Sequence, residues 1–150
     1  MPYFTYDTSV IISRKIFALA LQQMPKNFLM SAVVLMELTA SAKDESRRKS
    51  YERAFRQFQQ NDLLIVPTAE DWLLASKIVF LLTDGRRREG RGKLKRLPPG
   101  ASQRLALDVL IAVSARRWKA QVVTENWVDF KAIQRYCNAT IIKAAQFFRQ

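Results

Sequence analysis

Histidine is absent from all 150 residues, and cysteine occurs once, at Cys137. The first absence excludes a Ser-His-Asp triad, a Cys-His nucleophile pair and any acid–base chemistry run through imidazole. The second excludes an intrachain disulfide and, with no imidazole to help, a zinc site of the usual nitrogen and sulfur ligands. A metal held by this chain must therefore be held by oxygen, which leaves Mg²⁺, Mn²⁺ or Ca²⁺. Glycine is scarce as well: the four residues Gly85, Gly90, Gly92 and Gly100 all fall within one short stretch. No phosphate-cradling P-loop or G-x-G-x-x-G turn can be built elsewhere, so a Walker ATPase and a Rossmann cofactor site are not expected. No run approaches the roughly 18 uncharged apolar residues of a membrane-spanning helix. The opening Met1-Pro-Tyr-Phe-Thr-Tyr-Asp7 carries an acid where a secretory signal has a basic start. With a single thiol, these features lead us to expect a cytoplasmic protein with no membrane partner.

What is abundant is positive charge. Twenty-five Lys and Arg against 13 Asp and Glu give a net charge of +12, on a chain that is 49% hydrophobic and able to bury a core. Such a balance points to a polyanionic partner, nucleic acid foremost, or to a solubilising surface. Half of the excess lies between Arg86 and Arg96, which reads RRREGRGKLKR and is closed by Pro98 and Pro99. Glycine and proline punctuate elements, so 84–100 is expected to be a long basic loop within a single 1–150 domain. Loops of this length are either functional or inert insertions. The functional reading is a flap on which Arg86, Arg87, Arg88, Arg91, Lys93, Lys95 and Arg96 contact an RNA backbone without reading sequence.

Elsewhere the hydrophobic pattern alternates short apolar runs with helical periodicity. Strands are expected at 3–6, 28–30, 63–66, 121–124 and 140–142. Helices are expected over Val10–Gln22 with Thr8 or Ser9 as cap, from Ser31 through Leu38, over 44–60, from Thr68 to about Leu82, from Ser102 through Ala115, and over Asp129–Tyr136 with Asp129 as cap. Strands separated by helices in this order make a mainly parallel sheet with helices on both faces, an α/β/α arrangement. Ligands of such sheets bind beyond the carboxyl ends of the strands.

Three acids sit where apolar residues belong. Asp7 ends the first strand, Glu37 interrupts the apolar run from Phe28 to Leu38, and Asp108 interrupts Leu105–Val113. A carboxylate is costly to bury without a partner. Each has an ordinary alternative: a turn or cap for Asp7, a polar helix stripe with Thr39 and Ser41 for Glu37, a salt bridge to Arg104 for Asp108. Taken together, all three can point into one crevice above the sheet. Two carboxylates about 4 Å apart repel by roughly 4 kcal/mol at an effective dielectric of 20, a repulsion that a divalent cation reverses. An acidic crevice, a divalent metal and a basic flap describe a metal-dependent nuclease. After the fourth strand, Thr124 is placed to hydrogen-bond a carboxylate and Asn126 to ligate metal or its water, with turn and cap chemistry as the alternative for both.

Four pieces in order, Tyr6-Asp7-Thr8-Ser9, Ser31-Ala-Val-Val-Leu-Met-Glu37-Leu, Leu107-Asp108-Val-Leu-Ile-Ala-Val-Ser-Ala and Val123-Thr124-Glu-Asn126-Trp-Val-Asp129-Phe130, resemble the PIN domain family and within it the VapC-type toxin ribonucleases. The resemblance spans 6–130. It implies a compact α/β/α domain with an acidic Mg²⁺ or Mn²⁺ site. Asp7, Glu37, Asp108 and Asn126 match the catalytic positions, Asp7 and Asp108 holding metal, with Thr8 and Thr124 in support. The usual acid of the fourth position is an amide here. The resemblance further implies cleavage of RNA, a homodimer and inhibition by a cognate antitoxin. A binding module without catalysis and an RNA-processing nuclease unconnected with toxicity are the alternative functions.

Overall fold

The computed structural model describes residues 2–88 and 100–149. Among the described residues, five strands are interleaved with helices: β1 (Phe4–Tyr6), α1 (Thr8–Ser13), α2 (Ala18–Gln22), β2 (Met30–Ser31), α3 (Ala32–Ala40), α4 (Glu45–Gln60), β3 (Leu64–Ile65), α5 (Ala69–Arg88), α6 (Ala101–Arg117), β4 (Gln121–Thr124), α7 (Trp127–Gln134), β5 (Thr140–Lys143) and α8 (Ala144–Phe147). All strand pairs are parallel, in the order β1-β4-β5 and β2-β3. A single parallel bridge, Phe4 to Phe28, joins the two groups. There the Phe4 amide donates to Asn27 at 3.0 Å and the Leu29 amide donates to Phe4 at 2.9 Å. The fold is the mixed α/β arrangement expected, with a central parallel sheet and helices packed upon it.

β1 to β4 are short but almost wholly buried, which is why they read as apolar runs rather than alternations, while β5 is buried only at Ile141. β1 is buried at all three positions, and Val122, Val123 and Thr124 of β4 are buried too. Phe28, Phe130, Ile111 and Ile133 are enclosed completely or nearly so. Each such side chain contributes roughly 1.5–3 kcal/mol of burial.

Several boundaries differ from the sequence expectation. The helix expected over Val10–Gln22 is two helices. α1 ends in a Schellman motif: the Lys15 amide donates to Ile12 at 3.2 Å, the Ile16 amide donates to Ile11 at 3.0 Å, and Lys15 is left-handed at φ 53. The same closure ends α4 at Asp62 (φ 56) and α6 at Lys119 (φ 54). The loop expected at 84–100 starts too early, because α5 continues as helix through Arg88. Gly85 is therefore a helical residue, and Arg86, Arg87 and Arg88 belong to a helix end. Arg91, Lys93, Lys95 and Arg96 lie outside the described residues. α6 opens one residue before Ser102, with left-handed Gly100 (φ 79) as its N-cap. Among the described residues, no helix is long and apolar enough to cross a membrane.

The apolar residues of 51–58 and 143–148 are unequally enclosed. Tyr51 and Phe55 are half-buried, Phe58 and Ala144 are buried, and Phe147 packs on Phe4 at 5.1 Å between ring centroids. Phe148 of the second segment stays exposed, as do Met36, Trp72, Leu73, Phe80 and Val128.

Candidate active site

Asp7 occupies the junction of β1 and α1. Its amide still follows the sheet, donating to Val123 O at 3.1 Å, while its carboxylate caps α1 by accepting from the Val10 amide at 3.1 Å. The same Oδ1 accepts from Ser9 Oγ at 2.7 Å, and Oδ2 accepts from Thr124 Oγ1 at 2.6 Å. Asp7 is only 2% exposed and Thr124 only 1%. The cap reading and the site reading of Asp7 are thus compatible, since a single carboxylate closes the helix and faces the strand ends. Burial pushes its pKa above the ordinary carboxylate value, against the three donors, which pull it down.

Thr124 relays this anchorage onward. Its hydroxyl accepts from the Asn126 amide at 2.8 Å. Ser9 acts likewise, its Oγ accepting from the Glu125 amide at 3.2 Å. The turn after β4 is therefore tied to Asp7 through two hydroxyls. Thr8 connects the third element: its Oγ1 donates to Glu37 Oε1 at 2.9 Å, linking α1 to α3. Glu37 is half-buried, and its pKa is raised first by burial and then by the negative charge of Asp7, with the Thr8 hydroxyl opposing.

Asp108 lies in the second turn of α6. Its pKa is pushed up to about 7 by burial first, then by the charges of Asp7, Glu37 and Asp129. Arg104, one turn earlier, offsets the smallest share. The salt bridge weighed for Asp108 is thus outmatched by three like charges. Asp7 from the end of β1, Glu37 from α3, Asp108 from α6 and Asp129 from α7 share one electrostatic neighbourhood.

Asp129 is the residue that sequence reasoning placed differently. The cap of α7 is Asn126, and Asp129 lies in the first helical turn. Its Oδ2 accepts from Asn126 Nδ2 at 3.0 Å. An acid in the first turn and an acid at a cap look alike in a sequence, since both favour a helix N-terminus. Asn126 lies beside Thr124 as expected, with its side-chain amide engaged by Asp129. Ser9, expected only as a possible helix cap, belongs to the Asp7 anchorage. The basic positions Arg86, Arg87 and Arg88 end α5.

The donor set is all oxygen and strongly anionic, which suits a hard divalent cation and no softer metal. Among the described residues, no three or more His, Cys, Asp or Glu side chains are gathered closely enough to hold a metal ion. The fit is therefore one of donor chemistry, beside pKa values of Asp7, Glu37 and Asp108 that burial raises first and like charges raise further.

A family model described as "PIN domain" matches residues 5–136, which contain all of these acids. The chain belongs to the PIN domain family. Members of this family are generally nucleases. Among solved structures, this PIN domain resembles VapBC-1 from nontypeable Haemophilus influenzae at 21% identity and a TM-score of 0.54, covering 95% of this chain and 98% of that one. It resembles FitAB bound to an IR36 DNA fragment at 14% identity and a TM-score of 0.51, covering 94% of each chain. It also resembles FitAcB from Neisseria gonorrhoeae at 16% identity and a TM-score of 0.50, covering 95% and 98%. At these identities the likeness is one of fold. No curated protein sequence matches the chain.

Proposed function

We propose that this PIN domain is a metal-dependent endoribonuclease, the toxin of a toxin–antitoxin pair. The observation that carries the reading is that Asp7, Glu37 and Asp108, from three separate elements, lie within one another's electrostatic reach, with Asp7 fastened from three sides. Members of this family are generally nucleases, and acids whose pKa values are raised by burial and by one another's charge suit a cation-assisted hydrolysis.

In this reading Asp7 and Asp108 hold Mg²⁺ or Mn²⁺. When bound, such an ion lowers the pKa of a water and offsets charge on a phosphodiester. Thr124 and Ser9 fix the Asp7 carboxylate, which removes rotamer freedom that would otherwise be lost on binding. Thr8 holds Glu37 beside Asp7, where it adds charge or accepts a proton from water. Asn126, paired with Asp129, orients the metal's shell in this reading. The basic residues Arg86, Arg87, Arg88, Arg91, Lys93, Lys95 and Arg96 attract the RNA backbone in this reading. The toxin assignment rests on the VapC-type resemblance of the four motifs together with the likeness to VapBC-1 and FitAB. From it follow a cognate antitoxin, a homodimer and a cytoplasmic setting as parts of the proposal.

The deciding experiment titrates Mg²⁺ and Mn²⁺ into the purified protein against a structured RNA pool, with Asp108→Asn alongside. Metal-dependent cleavage that the mutant lacks is the expected result. RNA binding without cleavage in the antitoxin-free protein, unchanged by the mutation, transfers the assignment to a non-catalytic binding module.

A further inference from the structure

Beside the acids lies a group of the opposite sign. Trp127 opens α7 directly after Asn126, and its indole is half-buried against the core. Two lysines from different elements converge on this ring. Lys143 Nζ stands 5.0 Å from its centroid and Lys131 Nζ stands 5.7 Å away. Both lysines are exposed, and among the described residues neither forms a salt bridge. Lys143 is the last residue of β5 and pairs in register with Thr124, the residue that hydrogen-bonds Asp7. The aromatic-and-cation group therefore shares the carboxyl edge of the sheet with the acids. Val128, next along α7, is 78% exposed and leaves the approach open.

Two ammonium groups drawn to a single ring repel each other, and a cation–π contact at an exposed site offsets only about 0.5–1 kcal/mol. A strand of nucleic acid resolves both conditions. Its phosphates take the lysines, and an unpaired base takes the indole face that a lysine vacates. A duplex keeps its bases stacked on one another and offers no such face. We infer that Trp127, Lys131 and Lys143 form a nucleotide-binding platform that holds one unpaired base and its adjoining phosphates of a single-stranded RNA at the flank of the acidic crevice. This inference names the substrate form for the nuclease proposed above and rests on that reading for RNA as the ligand.

The test uses the full chain carrying Asp108→Asn, in EDTA, with a labelled single-stranded oligoribonucleotide followed by fluorescence anisotropy. Trp127→Ala is expected to weaken binding by about five-fold to a hundred-fold, the range for loss of one stacked base. Trp127→Phe is expected to recover most of it, and it keeps the test open should the alanine variant fail to fold. Lys131→Gln with Lys143→Gln is expected to reduce the slope of log K against log salt by about 1.4, or about 0.7 for each phosphate contact on a single strand. Unchanged affinity and slope in the lysine pair, or Trp127→Phe binding no better than a folded Trp127→Ala, overturns the platform. Cleavage by the unmutated chain is scored separately. Cleavage with unaltered binding in these variants overturns the platform alone, whereas weakened binding without cleavage by the parent supports the platform and counts against the nuclease.

Discussion

Thr124 Oγ1 donates a 2.6 Å hydrogen bond to Asp7 Oδ2 across 117 positions of sequence, in a site where both residues are almost fully enclosed. β1 and β4 run side by side, with Tyr6 in register with Val123, so the residues that follow them emerge together at the strand ends. Removing the hydroxyl by Thr124→Val leaves a buried carboxylate short of one donor, a loss of about 1–3 kcal/mol. The expected result is a lower urea midpoint, an Asp7 pKa raised further and weaker cleavage. Thr124→Ser should recover most of each. A valine variant as stable and active as the parent contradicts this account.

Asp108 makes stability and activity oppose each other. Its carboxyl, held at about 7 in the fold against an ordinary 3.8, keeps a proton that the unfolded chain releases. Between those values the folded state binds more protons, so this group's contribution to stability is greatest at low pH and falls as pH rises to about 7. Asp108→Asn removes that loss. In metal-free buffer near pH 8 the mutant should be more stable than the parent by something on the order of 1–3 kcal/mol, discounted because the side chain is partly solvated. The advantage should shrink towards pH 4, while cleavage is abolished at every pH. Denaturant titrations of both proteins across this range check the sign. A mutant less stable at pH 8 rules it out.

A divalent cation should reverse the same repulsion. In thermal scans, Mn²⁺ or Mg²⁺ in hundred-fold excess over its dissociation constant should stabilise the parent by about 2.7 kcal/mol. Asp7→Asn and Asp108→Asn should show little of this increment. Equal stabilisation of all three proteins places the cation away from these carboxylates.

Away from the site, Asp71 and Arg117 tie the start of α5 to the end of α6. The buried Asp71 carboxylate accepts from the Thr68 amide at 2.9 Å and from Arg117 NH2 at 3.1 Å, and that guanidinium also donates to Val66 O at 2.8 Å. Arg117→Ala leaves a buried acid with only local donors. A loss of about 1–3 kcal/mol in denaturant unfolding is expected, below that of a fully buried pair because the arginine side chain is 38% exposed. RNA affinity should be unaltered, which separates this tie from the site.

The Schellman ends make a smaller prediction. Lys119 sits in the left-handed region, where a side chain costs about 1–2 kcal/mol and glycine is at ease. Lys119→Gly should raise stability by a net of about 0.5 kcal/mol, after the larger entropy of the unfolded glycine is set against the relief. A lowered unfolding midpoint would falsify this.

Most of the element order was legible because the longer helices carry a helical hydrophobic period and the strands read as short apolar runs between them. Ser31 reads as a cap and is one, accepting from the Val34 amide at 3.4 Å. The break at Lys15 was not legible, because the left-handed residue that closes α1 is a lysine and glycine is the usual mark of such an end. The early start assigned to the basic loop has a related cause: Gly85 reads as a helix stop, yet packing of α5 along α6 carries the helix through it to Arg88.

The residue inventory by itself determined which chemistry was open to this protein. Without histidine and with one thiol, only oxygen ligands remain, and the three acids in apolar runs marked where they had to be. Those are properties of composition and local pattern, and they survive without a fold. Only the tertiary structure decided which carboxylates feel one another's charge, that Ser9 and Thr124 fasten Asp7, that Asp129 joins the group, and that Trp127 gathers Lys131 and Lys143 beside it. Each of those contacts depends on the register of parallel strands and the direction of a side chain at a helix start. Local periodicity carries neither, because it records which face of an element is buried and not what stands opposite it.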